Sequence, residues 1–176
     1  MTLELPAIIN RLARSPAALR AAASIFSTGE SRWKPTPKDW SVLEIVCHLA
    51  DEEEEDFAPR LRATLASAPW TPLDLDNVAE RRGYNTRDLA AQLERFEQAR
   101  SANVAWLRSL AAGNPTPDFT IAHQHPKFGP ISAGDLLTAW AAHDALHLRQ
   151  IAKRLHQLAC RAAEAAGHST GYAGAW

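Results

Sequence analysis

Two histidines, His143 and His147, stand four residues apart within an apolar helical pattern near the end of the chain. Four residues of α-helix turn roughly 400° and rise about 6 Å, so the two imidazoles lie one above the other on one face. A pair of imidazoles at this spacing can bind one divalent metal ion, but it cannot complete a site. The chemistry of the pair therefore depends on a third side chain.

His48 is the candidate for the third ligand. It lies at the edge of the apolar face of an earlier helix, beside Ile45 and Leu49. In a helical bundle this helix would lie next to, or diagonally across from, the helix that carries His143 and His147. Three neutral imidazoles leave an open position for water or substrate, as in catalytic zinc sites. A single histidine on a helix face also occurs as a hydrogen-bonded core residue, so both interpretations stay open.

An acidic run, residues 51–56, follows His48 directly. Six consecutive helical residues sweep roughly 500°, so some of these carboxylates must turn inward. Asp51 and Glu52 share a side with His48, and they are the candidate catalytic residues. They could orient a ligand histidine or move a proton.

Two further acids of the run, Glu53 and Asp56, are predicted to fall near the apolar face of their helix. Arg100 and Asn103 fall on the apolar stripe of a later helix and are predicted to pair with them. Structural ion pairs are the alternative to a catalytic role for the whole acidic run.

The hydrophobic periodicity predicts helices over about residues 3–27, 41–66, 85–113 and 132–166. Ser41 followed by Glu44 is a capping box and marks the start of the second helix. Ser15-Pro16 predicts either two helices or one kinked helix in the first stretch. Long connections rich in proline and glycine cover residues 67–85 and 114–131.

The absence of period-two alternation predicts little or no sheet. The predicted fold is therefore all-α, a four-helix bundle with long crossover connections. One domain is expected to cover residues 1–168, and residues 169–176 are expected to fray.

Composition narrows the classes of function. The chain has 176 residues and a formal net charge of -1, so no excess of positive charge favours a nucleic-acid partner. No apolar run approaches the roughly 18 residues of a membrane helix, and the first residues lack the pattern of a signal peptide. Cys47 and Cys160 do not form a closely spaced pair. A reducing, cytoplasmic location without membrane contact is expected.

Other readings of these residues fit less well. The segment from His143 to His147 has the spacing of a zincin helix, but Asp144 stands where that motif needs glutamate, and no preceding sheet is predicted. A His-Asp doublet also occurs in helical HD phosphohydrolases, which need another aspartate downstream, and none follows Asp144.

Cys47 points about 100° away from His48, which favours a buried structural thiol. His123 and His125 are candidates to line a pocket.

Three segments together resemble the DinB-like superfamily: WSVLEIVCHLAD at 40–51, HPKFGP at 125–130 and HDALHLRQI at 143–151. They occur in the order found in that family and extend from the second predicted helix into the fourth. The resemblance implies a four-helix bundle of up-down-down-up type, often a homodimer. It also implies a divalent metal, commonly zinc or nickel, held by His48, His143 and His147.

The resemblance further implies a metal-dependent enzyme that acts on a small molecule. Family members include transferases and isomerases that use a low-molecular-weight thiol as cosubstrate, and hydrolases. The alternative from another class is a non-catalytic helical-bundle dimer that serves as a binding or interaction module. A third hypothesis is a small-ligand binding protein in which Arg100 grips an acid group.

Overall fold

The computed structural model describes residues 4–73 and 76–174, and these residues form a mainly helical structure. The α-helices are α1 (Leu5–Ala23), α2 (Thr28–Ser31), α3 (Val42–Asp51), α4 (Phe57–Leu65), α5 (Val78–Arg81), α6 (Leu89–Ala111) and α7 (Ala133–Ala165). A π-helical segment, Glu52–Asp56, joins α3 to α4, and 3-10 turns occupy Tyr84–Thr86 and Gly171–Ala173. No helix among the described residues has both the length and the apolar content needed to span a membrane.

Four long helical segments form the predicted bundle: α1, the α3–α4 pair, α6 and α7. Helix α1 packs on α6 and α7, while α3 packs on α6 and both α3 and α4 contact α7. The predicted all-α bundle is thereby confirmed, with long connections between α4 and α6 and between α6 and α7. The predicted ends differ by a few residues, and the first helix ends earlier than expected, at Ala23. Its expected start, residue 3, lies outside the described residues.

Helix α1 continues through Pro16 as a single helix, so the alternative of two helices is wrong. Proline has no amide hydrogen and leaves the carbonyl four residues earlier without its helical donor. That carbonyl belongs to Leu12, and two side chains replace the missing donor. The hydroxyl of Ser15 and Nη1 of Arg100, from α6, each donate to the Leu12 oxygen at 3.1 Å.

The segment that carries His48 starts as predicted. The Ser41 hydroxyl accepts from the Glu44 amide at 3.1 Å, and the Glu44 carboxylate accepts from the Ser41 amide at 2.8 Å. Helix α3 then continues into the π-helical segment. The sequence had predicted one uninterrupted α-helix over residues 41–66, so this segment differs from the prediction. Of the five acids in this segment, three are buried and two are half-buried or exposed; the buried acids are Glu52, Glu53 and Asp56.

A small antiparallel hairpin precedes α7, formed by β1 (Ala122–His125) and β2 (Gly129–Ser132). His125 pairs with Gly129 at the turn, and Ala122 pairs with Ser132 at the open end. Gly129 adopts a φ of +75°, which the hairpin turn requires and which a residue without a Cβ adopts freely. Strand β1 alternates between exposed and half-buried residues, but all of them except Ala122 are polar, so its sequence carries little strand signal.

Two of the three apolar clusters among the described residues follow one another along the bundle. One includes Leu12, Leu61, Leu107, Leu137 and Trp140. The other includes Leu19, Ile45, Leu49, Phe96 and Ile151. A polar layer separates these two clusters. In each of the four long helical segments its residues fall, along the chain, between members of one cluster and members of the other; they are Ser15, Glu53, Arg100, Asn103, Asp144 and His147. The histidines of interest lie at this layer.

Candidate metal centre

Three histidines from two helical segments converge beside the polar layer. Helix α3 supplies His48, and α7 supplies His143 and His147 on one face, as their spacing predicted. Nε2 of His143 lies 3.0 Å from Nε2 of His147 and 3.4 Å from Nε2 of His48. All three candidate ligand atoms lie within 4.8 Å of one another. The structure thus brings together the three residues that the sequence identified.

These distances fit a metal ion shared by three imidazoles. Tetrahedral coordination with metal–nitrogen bonds of about 2.0–2.1 Å places neighbouring nitrogens roughly 3.3–3.4 Å apart. The observed separations of 3.0 and 3.4 Å bracket that value. Ring nitrogens that carry no proton can direct their lone pairs to a common point at these separations. A bound cation at that point satisfies all of them at once, so the donor set suits a divalent metal.

The surroundings keep the three rings in the neutral form, which is the form that binds metals. Burial lowers the pKa of His48 to about 3, and the neighbouring histidines add to this effect. Burial likewise lowers the pKa of His143 to about 4. The pKa of His147 is also lowered by burial, although the hydrogen bond to Gln150 opposes the shift. The rings therefore offer lone pairs rather than positive charges at neutral pH.

Gln150 fixes the orientation of His147. Its Oε1 lies 2.7 Å from Nδ1 of His147, and because a carbonyl oxygen only accepts, Nδ1 carries the proton. Nε2 of His147 is therefore left bare and faces His143. Gln150 follows His147 by three residues on α7, so one helix supplies both the ligand and the group that orients it.

Gln150→Leu should lower the affinity for zinc about 10–100-fold, because His147 loses the acceptor that selects its tautomer. Competition with a chromogenic zinc chelator measures this change. Gln98→Leu is the matched control, since Gln98 bonds only to Glu94 on the exposed face of α6. Equal zinc affinity in the Gln150 and Gln98 variants would show that this hydrogen bond has no part in the site.

Aromatic rings enclose the three histidines. Trp40 meets the His48 ring edge-on at 4.8 Å between centroids and lies nearly parallel to His147 at 6.4 Å. Phe57, from α4, lies 5.1 Å from His143 and stacks on Trp140 at 5.8 Å. These rings restrict water on two sides of the centre and lower the local dielectric constant.

Glu52 is the carboxylate nearest to the histidines. Its Oε1 lies 3.6 Å from Nδ1 of His48, and the side chain is buried. Burial and the neighbouring charge of Asp56 raise the pKa of Glu52 to about 8. Arg60 pairs with Asp56 at 3.0 Å and compensates part of this negative charge. A small cleft of about 10 Å³, room for roughly one water molecule, reaches His48 from this side.

Asp51 points into a different cluster. Nη1 of Arg95 donates to its Oδ1 at 2.6 Å, and Arg82 and the Tyr84 hydroxyl donate to its Oδ2. Burial opposes ionisation, but these donors hold the pKa of Asp51 below its ordinary value. The two predicted catalytic carboxylates thus have different surroundings: Glu52 borders the histidines, and Asp51 is tied to arginines and a tyrosine.

A buried network lies next to the histidines and joins the acidic run to α6. Nη2 of Arg100 donates to Glu53 Oε1 at 2.6 Å, and Nδ2 of Asn103 donates to Glu53 Oε2 at 3.1 Å. The predicted pairing of Arg100 and Asn103 with Glu53 is confirmed, whereas Asp56 pairs with Arg60 instead. Sequence reasoning missed Asp144, which binds Arg100 through both carboxylate oxygens at 2.6 and 2.9 Å. Its position directly after His143 was the available signal.

The remaining candidates lie outside the histidine triad. The Cys47 thiol donates to the Tyr84 carbonyl at 3.7 Å, and burial raises its pKa to about 12, which fits a structural thiol. His123 stacks on Trp70 at 4.3 Å between centroids, and Nδ1 of His125 accepts two amide hydrogens in the hairpin turn. Both terminal nitrogens of Arg100 donate hydrogen bonds to protein groups. This arrangement does not favour the hypothesis that Arg100 binds the acid group of a small ligand.

Comparison with known proteins places this geometry in context. A sequence model of the DinB superfamily matches residues 11–151. The fold is similar to that of YfiT from Bacillus subtilis, described as a probable metal-dependent hydrolase with an unusual four-helix bundle topology. That match has a TM-score of 0.77 at 20% sequence identity and covers 90% of each chain. No curated protein matches the chain.

Proposed function

The chain belongs to the DinB superfamily, and from this premise we propose that it is a metal-dependent enzyme, most simply a hydrolase of a small molecule. The proposed ligands of the ion are His48, His143 and His147. One observation carries the proposal: one ring nitrogen from each of the three histidines lies within 4.8 Å of the other two, and Nε2 of His143 lies 3.0 Å from His147 and 3.4 Å from His48. The description of the structurally similar YfiT as a probable metal-dependent hydrolase supports the same class of reaction.

Three protein ligands are the number found in catalytic rather than structural zinc sites, where a fourth position stays open to water or substrate. A divalent ion held by His48, His143 and His147 would supply Lewis acidity and would lower the pKa of a bound water molecule towards neutrality. Zinc and nickel are the metals we propose, because the resemblance to the DinB-like superfamily implies them; imidazole suits both, as it also suits copper and iron.

We propose separate roles for the residues that surround the three histidines. Glu52 is the proposed proton carrier, because its carboxylate is buried and lies 3.6 Å from Nδ1 of His48, and because burial raises its pKa above the ordinary value of a carboxyl group. Gln150 orients His147, while Trp40 and Phe57 exclude water from the sides. Asp51 has its oxygens occupied by Arg82, Arg95 and Tyr84, so we propose a structural role for it.

The function is tested on protein stripped of metal by chelation and then loaded with zinc or nickel. A panel of small esters, amides and phosphoesters should show hydrolysis that requires the ion, and Glu52→Gln should lower kcat about 10²–10⁴-fold while retaining metal. Transfer of a low-molecular-weight thiol is assayed beside it, because zinc and nickel also bind thiolates. Reactions that run equally well with chelator present would contradict the proposal.

Full metal loading without any reaction would instead favour the interaction module. In that case the oligomeric state should be the same before and after chelation.

A further inference from the structure

Arg100 joins both helical segments that carry the histidines, although its own helix carries none of them. On one side it binds Asp144, which follows His143 directly on α7. On the other it binds Glu53, in the π-helical segment that continues the helix of His48. We propose that Arg100 is a positioning residue for the metal centre, which sets the α7 histidines in register with His48. This inference rests on the proposed function.

The contacts of Arg100 leave little freedom. The side chain is 1% exposed, and both terminal nitrogens contact Asp144, one at 2.6 Å and the other at 2.9 Å. A guanidinium bound through two parallel hydrogen bonds fixes both the distance and the plane of the carboxylate. Rotation of α7 about its axis would break both bonds and would move His143 and His147 by a similar angle.

The other carboxylate of the cluster is equally constrained. Glu53 Oε1 accepts from Arg100 and also from Nε1 of Trp140, at 2.7 Å. Trp140 lies one turn before Asp144 on α7, so Glu53 contacts the same helix by a second route. Trp140 stacks on Phe57, whose ring lies against His143. The cluster and the histidine triad therefore share neighbours on α7 and on the segment that follows His48.

Stability alone does not account for this arrangement. Buried ion pairs often stabilise a fold no better than apolar side chains of the same size, and in some proteins they instead select one geometry over its neighbours. The apolar clusters above and below the polar layer could close the bundle without charges. A charged cluster beside three converging imidazoles instead selects one rotation and one axial position of α7.

The test uses three conservative variants: Arg100→Lys, Glu53→Gln and Asp144→Asn. Lysine keeps the charge but cannot bind a carboxylate through two parallel hydrogen bonds, and the amides keep the shape of the acids. Cobalt(II) is the probe, because its visible absorption reports coordination geometry as well as occupancy. Circular dichroism of each metal-free variant establishes that the helices remain.

We expect cobalt affinity to fall about 10–100-fold in the three variants, as for other groups that hold ligands in place, with a changed absorption spectrum. Arg20→Lys and Glu97→Gln are the matched controls, because this arginine and carboxylate also form a two-bond pair but join α1 to α6. The controls should bind cobalt like the unaltered protein. If Arg100→Lys does not fold, the positioning role is tested with the nearly isosteric Glu53→Gln and Asp144→Asn variants alone.

The outcomes separate this inference from the proposed function. Folded variants with the affinity and spectrum of the unaltered protein would overturn the positioning role and leave the metal centre standing. If the unaltered protein itself takes up no cobalt, the metal centre and the positioning role are both overturned.

Discussion

His147→Ala should abolish stoichiometric metal binding. The unaltered protein is expected to hold about one equivalent of zinc or nickel, because three imidazoles converge on one point. Removing His147 leaves two ligands and takes away the nitrogen 3.0 Å from Nε2 of His143. The loss should exceed the roughly 10–100-fold effect of removing a group that only orients a ligand. Elemental analysis of protein purified without an affinity tag measures the occupancy.

His48→Ala and His143→Ala should give the same result as His147→Ala, since each supplies one of the three nitrogens. His168→Ala is the matched control, because this histidine is exposed beyond the end of α7. It should retain the full equivalent. Full metal occupancy in His147→Ala would show that His147 is not a ligand. Full metal occupancy in all three variants would show that the three histidines are packing residues of the core and do not bind the metal.

Arg100→Ala is expected to be among the most destabilising single substitutions in the chain. It leaves Glu53 and Asp144 buried without their shared cation and removes a donor to the Leu12 carbonyl. Breaking a buried ion network by removing one partner typically costs about 3–5 kcal/mol of folding free energy. Urea denaturation of the metal-free protein measures the change without any contribution from bound metal.

Arg20→Ala provides the comparison for this effect. Arg20 also forms two hydrogen bonds with a carboxylate, Glu97, but its side chain is 41% exposed. A pair this exposed contributes only about 0–1 kcal/mol, because water screens the charges. The two arginine variants should therefore differ several-fold in their effect on stability. Similar small losses in both would mean that the polar layer tolerates an unpaired charge, contrary to the packing described above.

The sequence predicted the bundle and the pairing of His143 with His147 because both depend on local spacing. Helical periodicity and the Ser41 capping box located the helix of His48, and four-residue spacing placed His143 above His147. The choice of His48 as third ligand drew also on the family resemblance, since spacing within one helix cannot show which residues meet between helices.

Other features depend on tertiary contacts that the sequence does not display. The π-helical turn exists where Glu53 meets Arg100 and Glu52 lies against His48, and a run of six acids contains no local signal for it. For the same reason Asp51 and Glu52 could not be told apart, because their separation depends on Arg82 and Arg95 from distant parts of the chain. The hairpin before α7 is too short and too polar to show strand alternation.

Pro16 specifies how far α1 can slide along its neighbours. A helix packed only through apolar side chains can shift by one turn and bury nearly the same surface. In α1, however, proline leaves one carbonyl oxygen, that of Leu12, in need of a donor from outside the helix backbone, and Arg100 supplies one at 3.1 Å. A slide of one turn would carry this acceptor and the Ser15 hydroxyl about 5.4 Å away from the guanidinium, and both hydrogen bonds from Arg100 would be lost. A residue that usually interrupts helices thus sets the axial position of this one.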